Sequence, residues 1–196
     1  EKGVLNLRLH SRGTGAHAAR PWLAQNPLAE VTRALARLES HARHWRNEDE
    51  HWYPTLTPTV LLCDNTTINR IPETAEAWVD IRVPPPWTPG GLLKELRALV
   101  GDAVLLEEIS VAQATSLAPE AGYLQAIEDV LGTPPRLRRS DGASDARYVA
   151  PLGIPVLMSR PLVGNLHTVE EWIDIDSMIR FYQYCRRYLE QRLHVD

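Results

Sequence analysis

In the stretch AEAWVDIRV, Ala77, Val79, Ile81 and Val83 alternate with Trp78, Asp80 and Arg82. Strict alternation is the pattern of a half-buried β-strand, because successive side chains point to opposite faces of a sheet. GVLNLRLH (3–10) repeats it, setting Leu5, Leu7 and Leu9 against Val4, Asn6 and Arg8. Between these strands, Asn26 and Pro27 form an N-cap and first helical residue ahead of Leu28, Val31, Leu35 and Leu38, which predicts a helix running to about Trp45. TLTPTVLLC (55–63) reads as a β-rich run. Thr88 and Pro89 open a second helix with the stripe Leu92, Leu96, Leu99 and Val100, and AVLLEEISV (103–111) reads as a last strand.

The order strand, helix, strand, strand, helix, strand is the ferredoxin-like βαββαβ arrangement, an antiparallel sheet with two helices on one face. After Ser110 the pattern changes. A helix from about Pro119 to Leu131 with Gly132 as its stop, a short strand near Leu137, a small helix from Ser144, the strand IPVLMS (154–159) and a long terminal helix follow. The terminal helix carries the stripe Ile175, Met178, Tyr182, Cys185 and Leu189. These elements are too few to close a doubly wound sheet. The expected class is therefore α/β (α+β), with a ferredoxin-like domain over 1–111 and part of an α/β domain over 112–196. The 15 prolines fall mostly at the borders of these segments and punctuate them.

Charge narrows the partners. With 21 Lys and Arg against 25 Asp and Glu, the formal charge is −4, which argues against nucleic acid or an anionic membrane. No apolar run reaches the roughly 18–20 residues of a membrane span, and no signal-peptide pattern opens the chain; the expectation is a cytoplasmic protein. Cys63 and Cys185, both in apolar patterns, are expected to be buried and reduced.

His17 lies in the Gly-rich GTGAHAARP, where glycines permit close backbone approach and an imidazole can donate to an oxyanion. His167, in GNLHTVEEW, can ligate a metal through one ring nitrogen. Asn69 and Arg82 can clamp a carboxylate. DGASDARY has Ala146 where a serine nucleophile elbow needs its second glycine. His41, His44 and His51 read as a solvated helix end among arginines. Each residue alone has an ordinary surface explanation; their joint order is more informative.

The segments EKG (1–3), GTGAHAARPWLAQNPL (13–28), NRIPETAEAWVDIR (69–82), DGASDAR (141–147), GIPVLMSRP (153–161) and LHTVEEWIDI (166–175) resemble, in sequence and order, the zinc metallopeptidase and deacylase family. That family includes acetylornithine deacetylase, succinyl-diaminopimelate desuccinylase, aminoacylase and carboxypeptidase G. The resemblance implies that 1–111 is the family's lid, or dimerisation, domain and 112–196 the C-terminal part of its catalytic domain. It implies that His17 polarises the substrate carbonyl across a homodimer, that Asn69 and Arg82 bind a substrate carboxylate, that Gly142 and Ser144 line the pocket, and that His167 is the final zinc ligand. The implied reaction is hydrolysis of a small N-acyl amino acid or peptide by metal-activated water. The family's N-terminal catalytic half, with its other zinc ligands and general base, has no counterpart here, so the expectation is a fragment inactive by itself. Two other readings of the plait compete: an amino-acid-sensing regulatory module, and an RNA-recognition domain, which Trp78 beside Asp80 in an acidic chain does not suit.

Overall fold

The computed structural model describes residues 1–47, 51–117, 119–154, 156 and 158–193. In chain order the elements are β1 (Gly3–Arg12), β2 (Ala16–His17), α1 (Pro27–Ala42), β3 (Thr55–Cys63), β4 (Arg70–Ile71), β5 (Thr74–Val83), α2 (Pro89–Arg97), β6 (Leu105–Ala112), α3 (Ala121–Leu131), α4 (Ala146–Val149), β7 (Val163–Gly164), β8 (Trp172–Ile173) and α5 (Ile175–Leu193), with 3-10 turns at Pro21–Leu23, Arg43–Trp45 and Ala150–Leu152. The chain divides into two compact units, one of residues 1–115 with 140–147, the other of 116–139 with the chain from Tyr148 onward.

The first unit is built on an antiparallel sheet in the order β3-β5-β1-β6, which is the ferredoxin-like topology read from the sequence. The alternation decides its faces. Leu5, Leu7 and Leu9 of β1 and Ala75, Ala77, Val79, Ile81 and Val83 of β5 are buried on one side, where Val31, Ala34, Leu35 and Leu38 of α1 and Leu92, Leu93 and Leu96 of α2 meet them. Each such leucine contributes about 1.5–3 kcal/mol by leaving water. On the other face Arg8 is held between Glu76 and Glu107. Both helices start where their caps predict: Asn26 Oδ1 accepts the N–H groups of Leu28 and Ala29 at 3.1 and 3.4 Å, and Thr88 Oγ1 that of Gly91 at 3.2 Å. In the last turn of α1, His41 differs from the solvated reading. It is half-buried, edge-on to the buried Trp45 at 5.6 Å.

The second unit is centred on α3 and α5. Tyr123, Ile127 and Tyr184 are buried and Phe181, Cys185 and Tyr188 pack around them, with ring centroids 5.2–5.9 Å apart in edge-to-face pairs. Burial pushes the Tyr123 phenol up from its ordinary value, and its hydroxyl bonds Ser159 and Cys185. Gly132 ends α3 in the left-handed region, at φ 70, where a residue without Cβ is favoured.

Three expectations change here. The buried face of α5 carries Ser177, Phe181, Tyr184, Cys185 and Tyr188, whereas Ile175, Met178, Tyr182 and Leu189 of the predicted stripe are exposed; the aromatic face wins because Tyr123 supplies a complementary edge. Leu137, Ile154, Val156, Met158 and Ser159 belong to no strand, since the one ladder of this unit among the described residues is β7 with β8, and a strand exists only through its partners. Pro155 and Leu157 of the predicted strand lie outside the described residues. Cys63 is exposed, not buried, at the end of edge strand β3.

Candidate functional site

The loop after β1 turns back because Gly13 permits it. A Cβ there would lie 2.0 Å from the Gln25 carbonyl oxygen, and the Gly13 N–H donates to Glu73 O at 2.9 Å. Thr14 then bridges to Gln25, and β2 pairs with β4, placing His17 directly opposite Arg70. Ala18 N–H donates to Asn69 O at 2.8 Å, so the fold brings His17 and Asn69 to one end of the plait, both exposed. His17 Nδ1 accepts the Ala19 N–H at 3.1 Å. In the neutral ring this leaves the proton on Nε2, free to be donated. The opposing loop is internally braced. Asp64 Oδ1 accepts the N–H groups of Glu73 and Thr74, both at 3.1 Å, and Asn65 Nδ2 reaches Thr67 O and Arg70 O. The Thr74 N–H above all, then that of Glu73 and the nearby Arg70 charge, hold the Asp64 carboxyl below its ordinary value.

Arg82 is not part of that cluster. It lies toward the opposite end of β5, eight residues beyond Thr74, a span of about 26 Å at roughly 3.3 Å per residue. Its guanidinium is held by Asp80, Nε to Oδ1 at 2.7 Å and Nη2 to Oδ2 at 3.0 Å. Its ladder partner is Val4, so Arg82 shares an end of the sheet with the start of β1. Gly142 and Ser144 belong to this end too. Ser144 donates through Oγ, at 2.9 Å, and through its N–H, at 3.3 Å, to the Glu1 carboxylate, and Lys2 pairs with Asp141 at 2.8 Å. Reading the residue types singled out EKG as a motif without a role for Glu1 or Lys2, and missed Arg70 beside His17; the first needs contacts across the whole chain, the second needs the β2–β4 register.

In the second unit, His167 stands exposed in the turn between β7 and β8 with a positive φ of 67. Asn165 shapes that turn, its carbonyl accepting from Thr168 and its amide donating to Glu170 O. Among the described residues no three His, Cys, Asp or Glu side chains gather to hold a metal ion. One imidazole is not a zinc centre, so the donor set here does not by itself fit the metal that the family resemblance implies. No helix among the described residues is long and apolar enough to cross a membrane.

The first unit is thus an antiparallel four-stranded plait with His17 exposed at one end and the Ser144 loop tied to Glu1 at the other. Residues 1–106 match the peptidase dimerisation domain of the M20 group, and the chain belongs to that family. Succinyl-diaminopimelate desuccinylase from Xylella fastidiosa is 30% identical over 192 residues, 93% of this chain and 50% of the relative. The enzyme of the same name from Pseudomonas syringae is 31% identical over 191 residues, 92% and 49% respectively. The chain thus spans about half the length of the curated relatives it matches. Among solved structures, aminopeptidase PepT from Bacillus cereus superimposes with a TM-score of 0.71 at 16% identity, covering 96% of this chain and 52% of that one. An M20 family metallo-carboxypeptidase from Sulfolobus solfataricus gives 0.69 at 18%, covering 96% and 58%. These likenesses establish the fold, and the family match displaces the regulatory and RNA-binding readings of the plait.

Proposed function

We propose that this chain forms the lid (1–111) and the C-terminal catalytic portion (112–196) of a metal-dependent amide hydrolase that acts on small N-acyl amino acids or peptides as a homodimer. The observation that carries this reading is the span of about 26 Å between the His17 and Asn69 end of the plait and the Arg82 end. Groups that serve one small substrate cannot be that far apart within one protomer. A twofold copy of the lid can instead bring His17 and Asn69 to its partner's Ser144 loop.

In that composite site the Nε2–H of His17 donates to the acyl oxygen as negative charge develops there, a contribution of about 3–4 kcal/mol, or roughly 100- to 1000-fold in rate. The Asn69 amide and the Arg82 guanidinium hold the substrate carboxylate. Asp80 takes two of the five guanidinium donors and orients the rest. Gly142 and Ser144 line the pocket. His167 would supply one imidazole to zinc, whose other ligands the described residues do not assemble. The desuccinylase relatives favour an N-succinyl amino acid as the substrate to try first. An exposed free thiol at Cys63 suits the reducing cytoplasm.

The 196-residue chain is expected to retain less than one zinc after dialysis and to leave N-succinyl amino acids intact, because a lone histidine holds zinc poorly. A chimera in which it replaces the matching stretch of the Xylella desuccinylase is expected to hydrolyse them. Stoichiometric zinc with deacylase activity in the isolated chain overturns the fragment reading; a folded but inactive chimera overturns the catalytic one.

A further inference from the structure

The Lys2 side chain is only 1% exposed, and an ammonium that deep is tolerated when its donors are all used. They are. Lys2 Nζ donates to His51 O at 2.8 Å and to Tyr53 O at 3.1 Å and pairs with Asp141 Oδ1 at 2.8 Å, with the Trp52 and Tyr53 rings 5.5 and 5.8 Å away. Its backbone N–H donates to Ser140 O at 3.1 Å. Next to it, Glu1 Oε2 accepts the Ser144 hydroxyl and N–H and, at 3.2 Å, the Thr115 hydroxyl. Two neighbouring residues therefore tie together the root of β1, the 51–53 connection and the loop 140–147.

A methionine would fill the Lys2 slot without desolvating a charge. What an apolar side chain cannot do is fix where the loop sits, because only a donor reads the positions of two carbonyl oxygens and a carboxylate at once. Glu1 works the same way from the acceptor side, engaging both polar hydrogens of Ser144 and so setting the direction of its hydroxyl.

We infer that Glu1 and Lys2 are positioning residues that clasp the loop bearing Gly142 and Ser144 to the root of the sheet's inner strand, so that lid and loop move together. The functional weight of the clasp rests on reading that loop as pocket lining. The clasp itself is testable without it, by hydrogen exchange on the full 196-residue chain. Lys2→Met is expected to speed exchange of the 142–147 amides by about tenfold or more while β5 amides keep their protection. Glu1→Ala is expected to expose the Ser144 amide, and Glu1→Gln, which retains a carbonyl acceptor, to restore most of its protection. Unchanged loop exchange in Lys2→Met, loss of protection spread equally over β5, or a Glu1→Gln variant no better than Glu1→Ala would each overturn the clasp. If Lys2→Met does not fold, Asp141→Asn combined with Glu1→Ala makes the same comparison. In an active chimera, Lys2→Met is expected to raise KM several-fold more than it lowers kcat, and equal changes in both count against positioning. A chimera without activity strikes the pocket reading and leaves the exchange result standing.

Discussion

The Ala19 N–H donates to His17 Nδ1, which in the neutral ring leaves the proton on Nε2. In the active chimera, His17→Ala is expected to lower turnover about 100- to 1000-fold with zinc content intact, whereas His167→Ala is expected to lose metal. Mixing the two variants under subunit exchange is expected to recover part of the activity, since one site of the hybrid dimer then holds both histidines. Metal analysis and rate measurements on the mixture decide it, and no recovery removes His17 from its partner's site. At this scale the sequence was readable where chemistry is local. A histidine just after Gly13 and Gly15 is conspicuous in one line of text. Lys2 is not, because its burial depends on the 140–147 loop folding over it, and Glu1 meets Ser144 across 143 positions.

Between β3 and β5, the loop that presents Asn69 is held by Asp64, whose carboxylate accepts two backbone donors and stays ionised below its ordinary value of 3.8. A carboxyl group depressed in this way stabilises the folded loop above that value and loses its contribution as pH falls through the lower, folded one. Amides of Glu73 and Thr74 are therefore expected to lose exchange protection in acid before the centre of β5 does, and an Asp64→Asn variant to show that opening at neutral pH. Simultaneous loss throughout β5 would mean that the loop has no acid response of its own. The elements of the first unit were legible because a half-buried strand and a capped amphipathic helix each write one period into the sequence. The terminal helix wrote two. Its aliphatic stripe and its aromatic face compete, and only the position of Tyr123 on α3 decides that the aromatic face turns inward. IPVLMS has the composition of a buried strand, but composition cannot supply the neighbour a strand requires.

At the level of the molecule, β3 and β6 each have a partner strand on one side only among the described residues, and Val60, Leu61 and Leu62 on β3 and Ile109 and Val111 on β6 are exposed. Unprotected edges of this kind pair readily with another copy. Light scattering is expected to give about twice the 22.1 kDa chain mass at micromolar concentration, and a value near the single mass contradicts the homodimer. The sequence changes rhythm after Ser110, but nothing in that rhythm announces the return of residues 140–147 to the first unit, since that return depends on polar contacts that have no periodicity. The sheet order also makes assembly run out of step with the chain. β1 is first in sequence yet sits inside the sheet, and the side chains that Asn6 meets across its two ladders lie 74 and 104 residues further on. Until both arrive, Leu5, Leu7 and Leu9 have no sheet to join, and two long loops must close before any of that burial is gained. Non-local pairings of this kind slow folding relative to a helical bundle. The apolar face of β1, made before its partner strands, thus waits longest in this sheet for cover.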